Sequence, residues 1–190
     1  MTNTDHARLI QAIQAQQALR DRVIVAIDGR CGSGKTTLAA QLEKELHCAV
    51  YHMDDFFPRP EQRTEERLSR PGENVDHERF LEEVLLPLHG TQSITYRPYL
   101  CAQQQLGEPV TVAPNRLTIV EGSYSCHPAL WEHYDLRVFL SVDPEEQLRR
   151  IERRNGPEKT AMFIGRWIPF EEQYFKAFDI QARCDIRITG

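Results

Sequence analysis

Residues 29–36 read GRCGSGKT, which fits the phosphate-binding loop pattern G-x-x-x-x-G-K-[ST] without a mismatch. An apolar, β-branched run at residues 23–27 precedes the loop, and a helical pattern at residues 36–42 follows it. Glycines let backbone N–H groups converge on a polyphosphate, Lys35 adds a full charge, and the Thr36 hydroxyl can ligate Mg²⁺. The predicted nucleotide contacts are Gly29, Cys31, Gly32, Ser33, Gly34, Lys35, Thr36 and Thr37. The pattern therefore predicts a nucleoside triphosphate site, against the alternative of a chance glycine-rich turn.

Two carboxylates follow predicted strands elsewhere in the chain. Asp54 follows an apolar run at residues 49–53, and Glu121 follows another at residues 117–120. Ligands of parallel sheets gather at the carboxyl ends of strands, so both side chains should face the phosphate site. Asp54 can then accept the proton of a substrate hydroxyl, and Glu121 can complete the Mg²⁺ site. The alternatives are a turn aspartate and a strand-exit glutamate without a chemical role, and Asp55 is the weaker candidate for the base.

Arginines cluster late on a predicted helix, at positions 149, 150, 153 and 154. The sequence Asn-Gly-Pro at residues 155–157 breaks that helix. A basic helix end beside a flexible break is typical of a lid, which we expect over about residues 149–166. Arg153, and after it Arg150, would then act catalytically on the transferring phosphoryl group, with Arg166 a weaker candidate. The alternative is a solvated basic face balanced by neighbouring glutamates.

The composition is that of an ordinary globular protein of 190 residues with a formal net charge of −5. Such a charge does not favour a nucleic-acid partner, and no apolar stretch predicts a membrane span or an exported leader. The five cysteines form no CxxC pair, so we expect neither a zinc site nor a disulfide framework, and Cys31 should be a structural bystander. His52, His77 and His127 have no metal-ligand spacing. A cytoplasmic location is the expectation.

The remaining pattern alternates strands with helices. We predict helices over residues 5–19, from Asp76 as N-cap, from residue 143 and over 170–182, and strands over 136–142 and 185–188. Residues 59–74 are interpreted as a mobile surface loop, and residues 93–96 and 109–112 as a hairpin within an insertion at about 90–113. The predicted fold is α/β: a P-loop NTPase domain over residues 1–190, with a parallel sheet, helices on both faces, a small β-hairpin and an arginine-rich lid.

These motifs together resemble the uridine kinase-like branch of the P-loop kinases, which includes phosphoribulokinase and bacterial pantothenate kinase. The resemblance covers most of the chain from about residue 23. It implies that Asp54, in the segment MDDFF, is the general base, and that Asp76, in the segment NVDH, binds the acceptor's ribose. It also implies that Tyr96, on the hairpin, covers the acceptor and that Glu121 contributes to the site.

The sequence thus predicts a phosphotransferase that uses ATP and Mg²⁺ and has a small-molecule hydroxyl compound as its acceptor, with a nucleoside as the first candidate. A kinase for a non-nucleoside acceptor such as pantothenate or a sugar is an open alternative. A nucleotide-dependent switch without an acceptor is another, and a GTPase is less favoured because the chain has no Asn-Lys-x-Asp segment. Neither nucleic acid nor membrane is an expected partner, and a homodimer is left open.

Overall fold

The computed structural model describes residues 2–190. The strands are β1 (Val23–Gly29), β2 (Ala49–His52), β3 (Ile94–Tyr96), β4 (Tyr99–Leu100), β5 (Gln105–Leu106), β6 (Val110–Val112), β7 (Leu117–Glu121), β8 (Leu136–Ser141) and β9 (Ile186–Thr189). The helices are α1 (Asn3–Leu19), α2 (Lys35–Leu46), α3 (Glu65–Ser69), α4 (His77–Phe80), α5 (Leu86–Leu88), α6 (Pro144–Asn155), α7 (Pro157–Met162), α8 (Ile168–Ala177) and α9 (Ile180–Arg183). π-helical turns at Leu81–Leu85 and Phe163–Trp167 join α4 to α5 and α7 to α8.

The central sheet has five parallel strands in the order β2-β7-β1-β8-β9. Strand β1 lies in the middle and is buried along its whole length. Ile27 of β1 lies in register with Glu121 of β7, and Glu121 in turn lies in register with His52 of β2. The ends of the three strands that carry the predicted site therefore meet at one edge of the sheet.

Side chains of β1 alternate between two apolar cores, as a strand covered on both faces requires. Val25 and Ile27 pack with Leu38 of α2 and with α1 on one face. Ala26 packs on the other face with a cluster that includes Phe80 and helix α8. The predicted α/β fold, with a parallel sheet and helices on both faces, is confirmed.

The predicted hairpin is present, and the chain between its two strands forms a second, shorter antiparallel pair. Ile94 of β3 pairs with Val112 of β6 in an antiparallel ladder. Beyond it, β4 and β5 form a second antiparallel pair. Asp76 caps α4 as predicted, because its side chain accepts the Arg79 backbone N–H at 3.2 Å.

Two predicted elements were wrong in detail. The segment 59–74, predicted as a mobile surface loop, is not loop throughout, since it contains a 3₁₀ turn at Pro60–Gln62 and helix α3. Thr64 caps α3 by accepting the Arg67 N–H, a signal that the high charge of the segment obscured. The helix predicted over 170–182 is interrupted, because Asp179 adopts a left-handed φ of 50° between α8 and α9. Within the described part of the chain, no helix combines the length and apolarity needed to cross a membrane.

Candidate active site

A cleft of about 940 Å³ opens at the carboxyl edge of the sheet, where β1, β2 and β7 end. The phosphate-binding loop forms its floor, and α6 together with the turn between α7 and α8 forms one wall. The opposite wall comes from the turn after β2 and from residues Asn74 and Val75. This position, outside the strand ends, is where open α/β sheets bind ligands.

The phosphate-binding loop has the backbone that its glycines predict. Gly29, Gly32 and Gly34 have φ values of 140°, 74° and 98°, which side chains disfavour. A Cβ on Gly29 would overlap the carbonyl oxygen of Leu140, so the close approach to β8 also requires glycine. Lys35 begins α2, is buried, and donates from Nζ to the Gly29 and Arg30 carbonyls at 2.7 and 3.0 Å. The loop is therefore folded as a cradle, with its lysine held against its own carbonyls.

Thr36 and Glu121 come together beside this loop. The Thr36 hydroxyl lies 3.1 Å from Glu121 Oε1, so two oxygen ligands of the kind that Mg²⁺ prefers are adjacent. Glu121 is buried, and the His52 ring contacts the same oxygen through Nδ1 at 2.6 Å. That hydrogen bond raises the pKa of His52, which favours the charged imidazolium beside the carboxylate. Sequence reasoning gave His52 no role, although its place beside Glu121 follows from the strand register.

Asp54 lines the cleft from a 3₁₀ turn at Met53–Phe56 that follows β2. The side chain is open to solvent, but the cleft walls surround it, and this desolvation raises its pKa. Lys35 opposes the shift and Glu121 adds to it. Asp55 is directed elsewhere, because its carboxylate accepts the Tyr96 hydroxyl at 3.0 Å. The structure thus brings Asp54, and not Asp55, to the phosphate site.

Two residues predicted to bind substrate do not line the cleft. Asp76 is buried beneath the start of α4, where its N–H also donates to the Phe56 carbonyl at 2.7 Å. The Tyr96 ring stacks on that of Phe56, with centroids 5.2 Å apart, and its hydroxyl donates a hydrogen bond to Asp55. Their substrate-binding roles stay predictions, while Asn74, close to Asp76 in the chain, does line the cleft.

The arginines of α6 divide into two groups. Arg150, Arg153 and Arg154 line the cleft, and Arg150 donates to the Gly32 carbonyl at 3.2 Å. Arg149 points outward, pairs with Glu146 at 2.7 Å and has a side chain that is 73% exposed. Arg166 lies against the Trp167 ring rather than in the cleft. The helix break at Gly156 is present, with a φ of 80°.

Asp28, the last side chain of β1 before the loop, was missed by sequence reasoning. It is completely buried and accepts the N–H groups of Gly29, Tyr124 and Cys126 and the Tyr174 hydroxyl. Burial raises its pKa to about 6, although the Cys126 and Gly29 amides, the Tyr174 hydroxyl and the charge of Lys35 oppose the shift. The available signal was a lone carboxylate ending an otherwise apolar strand. Asp28 fixes the loop that follows β7 against the phosphate-binding loop.

Glu171 of α8 was also missed, since nothing in the helical pattern distinguishes it from its exposed neighbours. It is 5% exposed and lines the cleft. Its two oxygens accept the Cys31 N–H at 2.9 Å and the Ser123 hydroxyl at 2.6 Å. The next residue, Glu172, makes a bidentate pair with Arg30 at 2.6 and 3.0 Å. Helix α8 is thereby joined to the phosphate-binding loop by two successive carboxylates.

Cys31 lies in the loop, but its thiol is not activated. Burial, and after it Glu171, raise its pKa to about 12, which keeps the thiol protonated at neutral pH. Gln147 donates to the Cys31 carbonyl at 3.0 Å and so fixes the backbone. A nucleophilic role for Cys31 therefore has no support in the geometry.

A second polar cluster, formed by Glu73, His77 and His127, lies outside the cleft. Its possible ligand atoms lie within 4.8 Å of one another. The two imidazoles are stacked, however, with centroids 4.0 Å apart and planes within 14°. In-plane lone pairs of stacked rings do not converge on one ion, and His127 Nδ1 already accepts the Ala129 N–H. This arrangement packs α4 against the loop after β7 without forming a ready metal site.

Comparisons with solved structures agree with this fold. A candidate uridine kinase from Bacillus stearothermophilus superimposes with a TM-score of 0.68 at 22% identity, over 95% of this chain and 99% of that one. A candidate fructose transport system kinase from Silicibacter sp. TM1040 gives a TM-score of 0.71 at 21% identity, over 99% of both chains. The predicted resemblance to the fold of uridine kinase-like P-loop kinases is thus confirmed.

Among curated proteins, the chain is 31% identical to the bifunctional alpha-galactosidase/sucrose kinase AgaSK of Mediterraneibacter gnavus. The match covers 80% of this chain but spans only 19% of that protein. The family AAA_18, described as an AAA domain, matches residues 25–173, from β1 into α8. Because this match covers most of the chain, the protein belongs to the AAA_18 family, and its fold is that of a P-loop kinase.

Proposed function

We propose that this chain is an ATP-dependent phosphotransferase that moves the γ-phosphoryl group to a hydroxyl of a small molecule. The observation that carries the proposal is the content of the cleft. The phosphate-binding loop with Lys35 and a carboxylate of raised pKa, Asp54, line the same cavity. A site that only hydrolyses ATP does not need room for a second substrate beside the phosphates, whereas this cleft has that room, with Asp54 lining it.

Each group in the cleft has a separate role in the transfer. The loop amides, Lys35 and the cleft arginines Arg150 and Arg153 stabilise negative charge on the phosphoryl oxygens. Lys35 moves from the Gly29 and Arg30 carbonyls to the phosphate when nucleotide binds. Asp54 accepts the proton of the attacking hydroxyl, and its raised pKa makes it a better match for that task near neutral pH.

The adjacent oxygens of Thr36 and Glu121 fit a Mg²⁺ ion, which when bound would neutralise part of the triphosphate's charge. His52 holds the Glu121 carboxylate in place through its Nδ1 contact. That contact also makes the Glu121 position sensitive to the protonation of His52.

Two acceptor classes have support. The uridine kinase-like resemblance favours a nucleoside. The sequence match to AgaSK favours a sugar, since a P-loop chain corresponds to the sucrose kinase activity in that protein's name rather than to the galactosidase. The switch hypothesis predicts slow ATP hydrolysis that no hydroxyl compound accelerates.

The test is ADP release from Mg·ATP in the presence of uridine, cytidine, sucrose, fructose or pantothenate. We expect at least one acceptor to accelerate ADP release and to appear as a phosphorylated product by mass spectrometry. Lys35→Met should abolish that acceleration, whereas Lys44→Met, on the exposed side of α2, should retain it. Hydrolysis that no acceptor accelerates would refute the proposal and favour the switch.

A further inference from the structure

Most of the positive side chains of the cleft lie on one helix, and most of its negative side chains lie on other elements. In residues 2–190, its cations are Lys35 on the phosphate-binding loop and three arginines of α6. One carboxylate, Glu146, also lies on α6, where Arg149 and Arg150 pair with it. The rest of the wall contributes the carboxylates Asp54, Glu121 and Glu171 and neutral side chains such as Asn74 and Ser123. The half of the cleft that faces an acceptor is therefore rich in hydrogen-bond acceptors and carries negative charge.

Two arginines beside this half, Arg30 and Arg79, are already engaged. Arg30 is held by both oxygens of Glu172. Arg79 donates to the Asp55 and Arg97 carbonyls, both at 2.8 Å. Among the described residues, the cleft's unpaired guanidiniums, those of Arg153 and Arg154, belong to α6. An acceptor whose carboxylate or phosphate lies against Asp54 and Glu171 would thus meet like charge.

Glu171 lines the cleft beside the phosphate-binding loop. Ser123, which holds Glu171 at 2.6 Å, has its hydroxyl oxygen 3.4 Å from Lys35 Nζ. Lys35 marks the γ-phosphate end of the loop. A buried carboxylate is costly unless hydrogen-bond donors satisfy it, and the Cys31 amide and Ser123 occupy only part of its lone pairs. Because Glu171 lines the cleft, its remaining lone pairs suit O–H donors of a bound acceptor.

We propose that Glu171, held by Ser123, determines acceptor specificity: it binds hydroxyls of a neutral polyol and excludes acceptors that carry a carboxylate. This inference rests on the proposed phosphotransferase function. The shared chemistry is a polyhydroxyl ring, which a free sugar and the sugar of a nucleoside both offer. Carboxylated acceptors, pantothenate among them, are excluded.

Matched acceptor pairs test the inference, with ADP release from Mg·ATP as the assay. Glucose is compared with glucuronate and panthenol with pantothenate, so that each pair differs in the carboxylate. Uridine, ribose and sucrose separate a nucleoside source of the polyol from a free sugar. We expect kcat/KM to be roughly tenfold or more higher for the neutral member of a pair. A carboxylated member that is used as well as its neutral partner overturns the inference and leaves the proposed function standing, whereas ADP release unaffected by every compound contradicts both.

Glu171→Gln separates specificity from structure, because glutamine keeps the shape and one acceptor oxygen for the Cys31 amide. We expect the KM for the neutral acceptor to rise and the preference over the carboxylated member to shrink, while the KM for ATP stays within about twofold. Glu43→Gln, an exposed change on α2 outside the cleft, should alter none of these. Ser123→Ala provides a second variant, which frees Glu171 without replacing it. If both cleft variants change the two members of a pair equally, Glu171 has only a structural role and the inference fails.

Discussion

Acid should destabilise this protein through His127. The ring is 6% exposed, stacked on His77, and accepts the Ala129 N–H at Nδ1 with a distance of 3.2 Å. Burial, and after it the charge of His77, lower the pKa of His127 to about 3 from its ordinary value of 6.5. The folded state therefore holds this imidazole neutral where the unfolded chain would protonate it.

The sign follows from proton uptake. Between pH 3 and pH 6.5 the unfolded state binds more protons at His127 than the folded state does. The contribution of neutral His127 to stability is therefore complete above pH 6.5 and is lost as the pH falls toward 3. Linkage gives a loss of about 2 kcal/mol on going from about pH 8 to about pH 5. For a chain of this length that corresponds to a Tm lower by about 4–8 °C. Asp28, whose pKa of about 6 is raised, acts in the opposite direction over about the same range, so wild type and variant must be compared.

The assay is chemical denaturation at several pH values for wild type and His127→Asn. An asparagine oxygen can still accept the Ala129 N–H, so the variant keeps that hydrogen bond. It loses the packing of the ring and the titratable imidazole. We expect lower stability at every pH but a decline toward pH 5 that is smaller than in wild type by about 2 kcal/mol. His89→Asn, at an exposed histidine, should keep the wild-type decline. Parallel pH curves for wild type and His127→Asn would show that the titration of His127 does not contribute to the acid sensitivity.

Three further predictions concern the cleft. Gly29→Ala should abolish ATP binding or folding, because the new Cβ would overlap the Leu140 carbonyl, and calorimetry with circular dichroism separates the two results. Cys31 should react with iodoacetamide near pH 7.5 at well under a hundredth of the rate of a free thiol, since its pKa is about 12; rapid labelling mapped to Cys31 would contradict this. Arg153→Ala should lower kcat by about 10³-fold, whereas Arg149→Ala, outside the cleft, should retain most activity, and equal effects would show that the lid assignment is wrong.

Local patterns predicted the elements of the sheet because burial on both faces makes parallel strands continuous apolar runs. The run at residues 23–27 and the glycine loop behind it needed no tertiary information. The break at Asp179 was different. A left-handed aspartate inside a helical pattern is set by packing, since α9 turns so that Ile180 joins the core.

The candidate site divides in the same way. Asp54 and Glu121 were placed by the rule that strand ends gather ligands, and both line the cleft. Glu171 and Ser123 lie 48 positions apart, and no spacing rule connects them. Their pairing depends on how α8 returns across the loop after β7. Long-range hydrogen bonds of this kind become visible only in the folded chain.

The role of Asp54 as the base of a phosphoryl transfer can be tested directly. The measurement is turnover of Asp54→Asn with the acceptor that most stimulates ADP release, beside calorimetric binding of Mg·ATP. We expect ATP binding close to wild type and transfer lower by about 10²–10⁴-fold. Asp55→Asn should keep most of the rate, because the Asp55 carboxylate faces Tyr96. Turnover of Asp54→Asn at the wild-type rate would show that Asp54 is not the base.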